Sequence, residues 1–179
     1  MNDFVALAKK TINEYVIKGH TIDATDNISI ELTNEKAGVF VSIHKKAKKD
    51  EKEDELRGCI GTFEPTKENI AQEIIDNAIS ACSRDYRFSP IKENELKELE
   101  ISVDVLSKPE LVNDIQNLDP KKFGILIKSK TDSRSGLLLP DLEGVDTIHD
   151  QMAIALNKAR ISAKEPINIY RFTVTRHKD

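Results

Sequence analysis

The stretch LRGCIGTFEPTKENIAQEIIDNAISAC, Leu56 to Cys82, decides the reading of the fold. Leu56 to Phe63 has strand character and stops at Pro65. Beyond it Ile70, Ile74, Ile75, Ala78, Ala81 and Cys82 fall on one side of a helix, with Thr66 as the expected cap. DYRFSP, Asp85 to Pro90, closes that helix, because the residue before a proline is driven out of helical geometry.

Working outward, Phe4, Leu7, Ala8, Ile12, Tyr15 and Val16 predict an amphipathic first helix capped by Asn2 or Asp3 and stopped at Gly19. Ile28 to Leu32 and Val39 to His44 alternate with period two and are expected to form an antiparallel hairpin. Between that pair and Leu56 runs KKAKKDEKEDE, Lys45 to Glu55, whose basic and acidic halves cancel as in a solvated loop. Towards the C-terminus a short helix is expected over Glu93 to Leu99 and a strand over Ile101 to Leu106. Phe123 to Lys128 and Gly136 to Leu139 read as a hairpin about a polar turn. A helix capped by Asp146 carries Ile148, Met152, Ala155, Leu156 and Ala159, and a last strand spans Ile167 to Thr175. Helices and hairpins mix without a strand–helix–strand rhythm. The expected class is therefore α+β, a mostly antiparallel sheet flanked by helices, and any second lobe must be discontinuous in sequence.

At 179 residues the chain can bury a sizeable core without a metal or disulfide staple. Charged residues of both signs, with a net charge of −4, argue against nucleic acid as an obligate partner. No apolar run is long enough for a membrane span, and MNDFVALAKK does not read as a signal peptide, so a cytoplasmic protein is expected. The four histidines, His20, His44, His149 and His177, have no ligand spacing to one another or to a cysteine. No metal, nucleotide or other cofactor is expected.

Chemistry centres on Cys59, between Gly58 and Gly61. Glycines inside a strand mark a bulge or the close approach of another group, and they leave the thiol accessible. Alternation is expected to turn Arg57 away from the thiol unless a bulge at Gly58 rejoins them. Thr62 adds a hydroxyl. A buried structural cysteine, with the glycines admitting a helix, is the competing reading. Cys82, on an apolar helical stripe, reads as core. Asp85 and Arg87 either hold a polar or anionic ligand or form an ion pair that fixes the helix exit.

Together these segments resemble the AMMECR family, called AmmeMemoRadiSam system protein A in prokaryotes. The likeness lies in LRGCIGT, the Asp85, Arg87, Phe88 and Pro90 pattern, SVDVLS at Ser102 to Ser107 and DPKKFG at Asp119 to Gly124. GLLLPDLEGVDT at Gly136 to Thr147, Gln151 and IYRF at Ile169 to Phe172 complete it. The resemblance implies one domain over residues 1–179 made of two intertwined lobes. The larger would hold an antiparallel sheet, the smaller would be a discontinuous α/β lobe, and LRGCIGT would lie near a cleft between them. It also implies Memo-like or radical S-adenosylmethionine proteins as partners, although this chain carries no iron–sulfur cysteine motif. Two functions stay open. One is an enzyme using Cys59, Arg57 and Thr62 on a small polar or anionic molecule bound by Gly58, Gly61, Asp85 and Arg87. The other is a non-catalytic binding or adaptor module.

Overall fold

The computed structural model describes residues 2–23, 30–47 and 54–178. In chain order the elements are α1 (Asp3–Lys18), α2 (Ile30–Asn34), β1 (Val39–Lys45), β2 (Glu55–Thr62), α3 (Ile70–Ser83), a 3-10 helix (Glu93–Glu98), β3 (Leu99–Leu106), β4 (Glu110–Leu111), a second 3-10 turn (Ile115–Asn117), β5 (Gly124–Ser129), β6 (Ser135–Leu138), α4 (Ile148–Ala159), β7 (Ile167–Phe172) and β8 (Val174–His177). The class is α+β, with two four-stranded sheets ordered β2-β1-β3-β8 and β4-β7-β5-β6. The pairings of β1 with β2 and β3, of β7 with β4 and β5, and of β5 with β6 are antiparallel. No described helix is long and apolar enough to cross a membrane.

The chain divides into two compact units, Met1–Val105 with Thr175–Asp179, and Leu106–Val174. The discontinuity expected of the smaller lobe thus belongs to the larger unit, and the smaller one is a single stretch.

In the larger unit β1 is central, because Val39, Val41 and Ile43 alternate towards the core and are fully buried. Val41 lies between Ile60 of β2 and Val103 of β3, and Ile43 between Gly58 and Ile101. α3 packs on β1 and β2, and α1 packs on α3. The Asn2 side chain caps α1 by accepting from the Phe4 N–H at 3.0 Å, and Gly19 ends it at φ 70°. Arg176 joins β8 to β3 by donating to both oxygens of the buried Asp104 carboxylate, at 2.7 and 2.8 Å.

The expected hairpin of Ile28 to Leu32 with β1 is not formed. Ile30–Asn34 is helical with Leu32 buried, β1 pairs with β2 and β3 instead, and Ile28 and Ser29 lie outside the described residues. Lys45 ends β1 and Glu55 opens β2, and residues 48–53 of the charge run also lie outside the description. Asn69, not Thr66, caps α3, accepting from the Gln72 N–H at 2.9 Å.

In the smaller unit Ile125, Ile127 and Leu138 form a core with Ala155, Ala159 and Ile161. Gly136 is required there, since a Cβ would lie 2.1 Å from the Ala155 carbonyl oxygen of α4. Thr147 caps α4 in place of Asp146, whose carboxylate pairs with Lys121 at 2.8 Å. The single last strand of the sequence reading is two strands, β7 and β8, belonging to different sheets. The two ends of this unit are tied: the Ser107 N–H donates to the Thr173 carbonyl, and the Thr173 N–H to Ser107 Oγ, each at 3.0 Å.

Candidate functional site

LRGCIGT forms β2, an edge strand of the first sheet. Gly58 is buried, and a Cβ there would lie 2.3 Å from the Ala81 carbonyl oxygen, so the glycine lets α3 reach the sheet. A Cβ at Gly61 would lie 2.2 Å from the Phe40 ring. Both glycines therefore serve close packing, the part of the structural reading that concerned them.

The partly exposed Cys59 is paired with Ser42, whose hydroxyl donates to Sγ at 3.2 Å. Because Val41 and Ile43 face the helices, Ser42 and Cys59 occupy the opposite face, with Ser102 of β3 next in the row. His44, one strand repeat beyond Ser42, shares that face, and burial lowers its basicity.

An unpaired edge strand presents its main-chain groups outward. At Cys59 both are taken by DYRFSP. The Cys59 N–H donates to Asp85 Oδ2 at 2.9 Å, and Arg87 Nη2 donates to the Cys59 carbonyl at 3.2 Å. Arg87 also donates to Asp85 through Nε at 2.9 Å, through Nη2 at 2.7 Å and through its own main-chain N–H at 3.2 Å. Asp85 is only 5% exposed, yet the Arg87 guanidinium holds its carboxyl well below the usual carboxylate range, with the Cys59 N–H assisting. The two residues act as a substitute strand that clamps the Cys59 main chain on both sides.

Arg57 goes elsewhere. It flanks Gly58 opposite Cys59, two positions away, so alternation alone does not separate the two side chains. A bulge leaves Arg57 without a partner on β1, since Ile43 pairs with Gly58 and His44 with Leu56. Its guanidinium donates to Glu95 at 2.9 and 3.0 Å and to the Ser89 carbonyl at 2.9 Å. Arg57 in turn lowers the Glu95 carboxyl, mainly through these bonds. Thr62 is engaged at the far end of β2, donating to Glu73 Oε1 at 2.5 Å and accepting from Asn77 at 3.2 Å. The buried Glu73 also accepts from the Thr66 hydroxyl and the Thr66 and Lys67 N–H groups, at 2.8 to 3.0 Å.

Of the predicted residues, the structure brings Cys59, Asp85 and Arg87 together. It draws Arg57 to Glu95, and Thr62 to Glu73. Ser42, Glu95 and Glu73 were not anticipated. Only the hairpin register could have flagged Ser42, and the two glutamates act across separations that local patterning does not reach.

The chain matches the AMMECR1 family model over residues 5–177. A Thermotoga maritima protein is 46% identical over 98% of this chain and 97% of its own length. A Clostridium acetobutylicum protein is 43% identical over 98% of this chain, which spans only 36% of that relative. Among solved structures, uncharacterised protein PH0010 of Pyrococcus horikoshii aligns with a TM-score of 0.84 at 29% identity, over 97% of this chain and 88% of that one. The chain belongs to the AMMECR1 family.

Proposed function

We propose that the protein performs thiol-dependent chemistry on a small polar or anionic molecule at the edge of β2, with Cys59 as the reacting group. The observation that carries this reading is the clamp. Asp85 and Arg87 fix both main-chain groups of Cys59, while its side chain stays partly exposed with a hydroxyl donor at 3.2 Å. A nucleophile whose main chain is fixed on both sides is positioned for covalent catalysis. A reducing cytoplasmic setting belongs to this reading, since both cysteines are free.

The test is alkylation of the folded protein with neutral iodoacetamide, mapped by mass spectrometry. Cys59 is expected to label readily while the buried Cys82 stays protected. Protection of both cysteines until unfolding would sink the proposal.

One observation favours a second reading, an adaptor module. The Clostridium acetobutylicum relative carries the matching region within a much longer chain. Memo-like or radical S-adenosylmethionine proteins are the partners that the family resemblance implies. Gentle co-purification from the native host is expected to recover such a partner, and recovery of the monomer alone counts against the module.

A further inference from the structure

Beside the clamp an open cavity of about 460 Å³ is lined by Arg57, Arg87, Phe88, Lys92, Asn94 and Glu95, with Ser89 completing the wall. Pockets of roughly 300–1,000 Å³ are typical of small-molecule sites, so this one exceeds what a bare inorganic ion fills. Cys59 does not line it. Arg87 is the link, touching the Cys59 carbonyl and also facing the cavity.

The donors and acceptors around this space are unequal. A guanidinium has five N–H groups and no acceptor. Arg57 directs three of its N–H groups to Glu95 and Ser89, which leaves two without a partner among the described residues. Arg87 directs Nε and Nη2 to Asp85 and Cys59, which leaves Nη1 without a partner among the described residues. Lys92 is exposed, and its ammonium has no partner among the described residues. On the acceptor side, both Glu95 oxygens are already taken by Arg57 and by the Lys92 main-chain N–H. Among the described residues that line the cavity, three cations, Arg57, Arg87 and Lys92, meet one carboxylate, Glu95, which is already paired with Arg57, while Asp85 lies behind Arg87 and is paired with it. The result is a local positive excess on a protein whose net charge is −4.

We infer that this cavity binds the oxyanion end of a small molecule, a phosphate or a carboxylate, on the free N–H groups of Arg57 and Arg87 and the Lys92 ammonium. Phe88 forms its apolar wall, with the Arg87 guanidinium 5.3 Å from the ring centroid. The inference deepens the proposed function by naming the ligand class, and it shares Arg87 with that reading. It does not depend on Cys59 being reactive.

The test is isothermal titration of the full chain with inorganic phosphate and with malonate, against sodium chloride at matched ionic strength. Lys92 is the residue to change, because its side chain takes no part in the clamp or in the Arg57–Glu95 pair. Binding of phosphate alone assigns a phosphorylated ligand, and binding of malonate alone a carboxylate. Either supports the inference. Lys92→Ala should weaken binding roughly threefold to tenfold, as for loss of one charge-assisted contact near solvent, and Lys92→Glu should abolish it. No binding of either anion, or unchanged binding in Lys92→Glu, overturns the inference. Cys59→Ser separates the two proposals, because anion binding should survive it. An inert Cys59 with intact anion binding removes the thiol chemistry and leaves the cavity standing.

Discussion

Asp85→Asn tests the clamp most directly, because it keeps the shape and removes the charge. Asp85 is 5% exposed and accepts four hydrogen bonds, three from Arg87 and one from the Cys59 N–H. An asparagine keeps one acceptor oxygen, and its NH₂ faces the Arg87 guanidinium donor against donor in either orientation, and the Cys59 N–H as well when it takes the place of Oδ2. Breaking a buried pair from one side costs about 3–5 kcal/mol. The Arg87 side chain is 42% exposed and can be rehydrated, so its share is discounted. With the NH₂ in the Oδ2 place, the stranded Cys59 N–H adds about 1–3 kcal/mol. The expected total is about 3 kcal/mol, read from urea unfolding at pH 7, with lost hydrogen-exchange protection at the Cys59 amide. The pH dependence has a fixed sign. Arg87 depresses the Asp85 carboxyl, so its contribution is complete above the ordinary carboxylate value of about 4 and is withdrawn as acid protonates it. Wild type and variant should therefore converge in stability at low pH. A loss under about 1 kcal/mol with the Cys59 amide still protected would refute the clamp.

Other changes follow from the same geometry. Gly58→Ala places a methyl group 2.3 Å from the Ala81 carbonyl and should cost about 3 kcal/mol or more in thermal unfolding, whereas Gly19→Ala, in open space at φ 70°, should cost about 1 kcal/mol. Glu73→Gln retains an acceptor for the Thr66 and Lys67 N–H groups and faces its amide to two hydroxyls that can accept. It should lose under about 2 kcal/mol by chemical denaturation, against about 3 kcal/mol or more for Glu73→Ala. Burial pushes the Cys82 thiol up to about 11 from 9.0. Its stabilising contribution is therefore full below pH 9 and fades as pH rises to 11, a loss of about 3 kcal/mol. Cys82→Ala should flatten that part of the stability profile, and identical alkaline slopes would rule this out.

Much of the fold was legible because it rests on local periodicity. The Asn2 cap and Gly19 stop bound α1, the isoleucine stripe of α3 faces the sheet, and the Gly124–Ser129 and Ser135–Leu138 pair forms the expected hairpin. Where the pattern was short or two residues shared a propensity, tertiary contacts decided. Ile30 and Leu32 alternate like a strand over three residues, yet only Leu32 is buried, on a single helical turn. Thr66 and Asn69 can both cap a helix, and Glu73, reaching back from inside that helix, engages Thr66. Of the candidate site, Cys59, Asp85 and Arg87, singled out by their types and the glycines, do lie together. The destination of Arg57 was not legible, because Glu95 lies on the 3-10 helix Glu93–Glu98, whose return to β2 no spacing announces.

The knot of hydrogen bonds between Ser107 and Thr173 has a topological consequence. β3 and β8 are neighbours in the first sheet, yet all of Leu106–Val174 is threaded between them. The larger unit is, in effect, a protein with one hairpin whose turn has been replaced by an inserted sheet and helix. Once that insert folds, its fastened ends reduce a long loop closure to a short one and deliver Thr175–His177 to the strand awaiting them. A chain in which a tight turn replaces the insert should preserve the β2 edge, the clamp and the oxyanion cavity together, since each is built from residues that precede it.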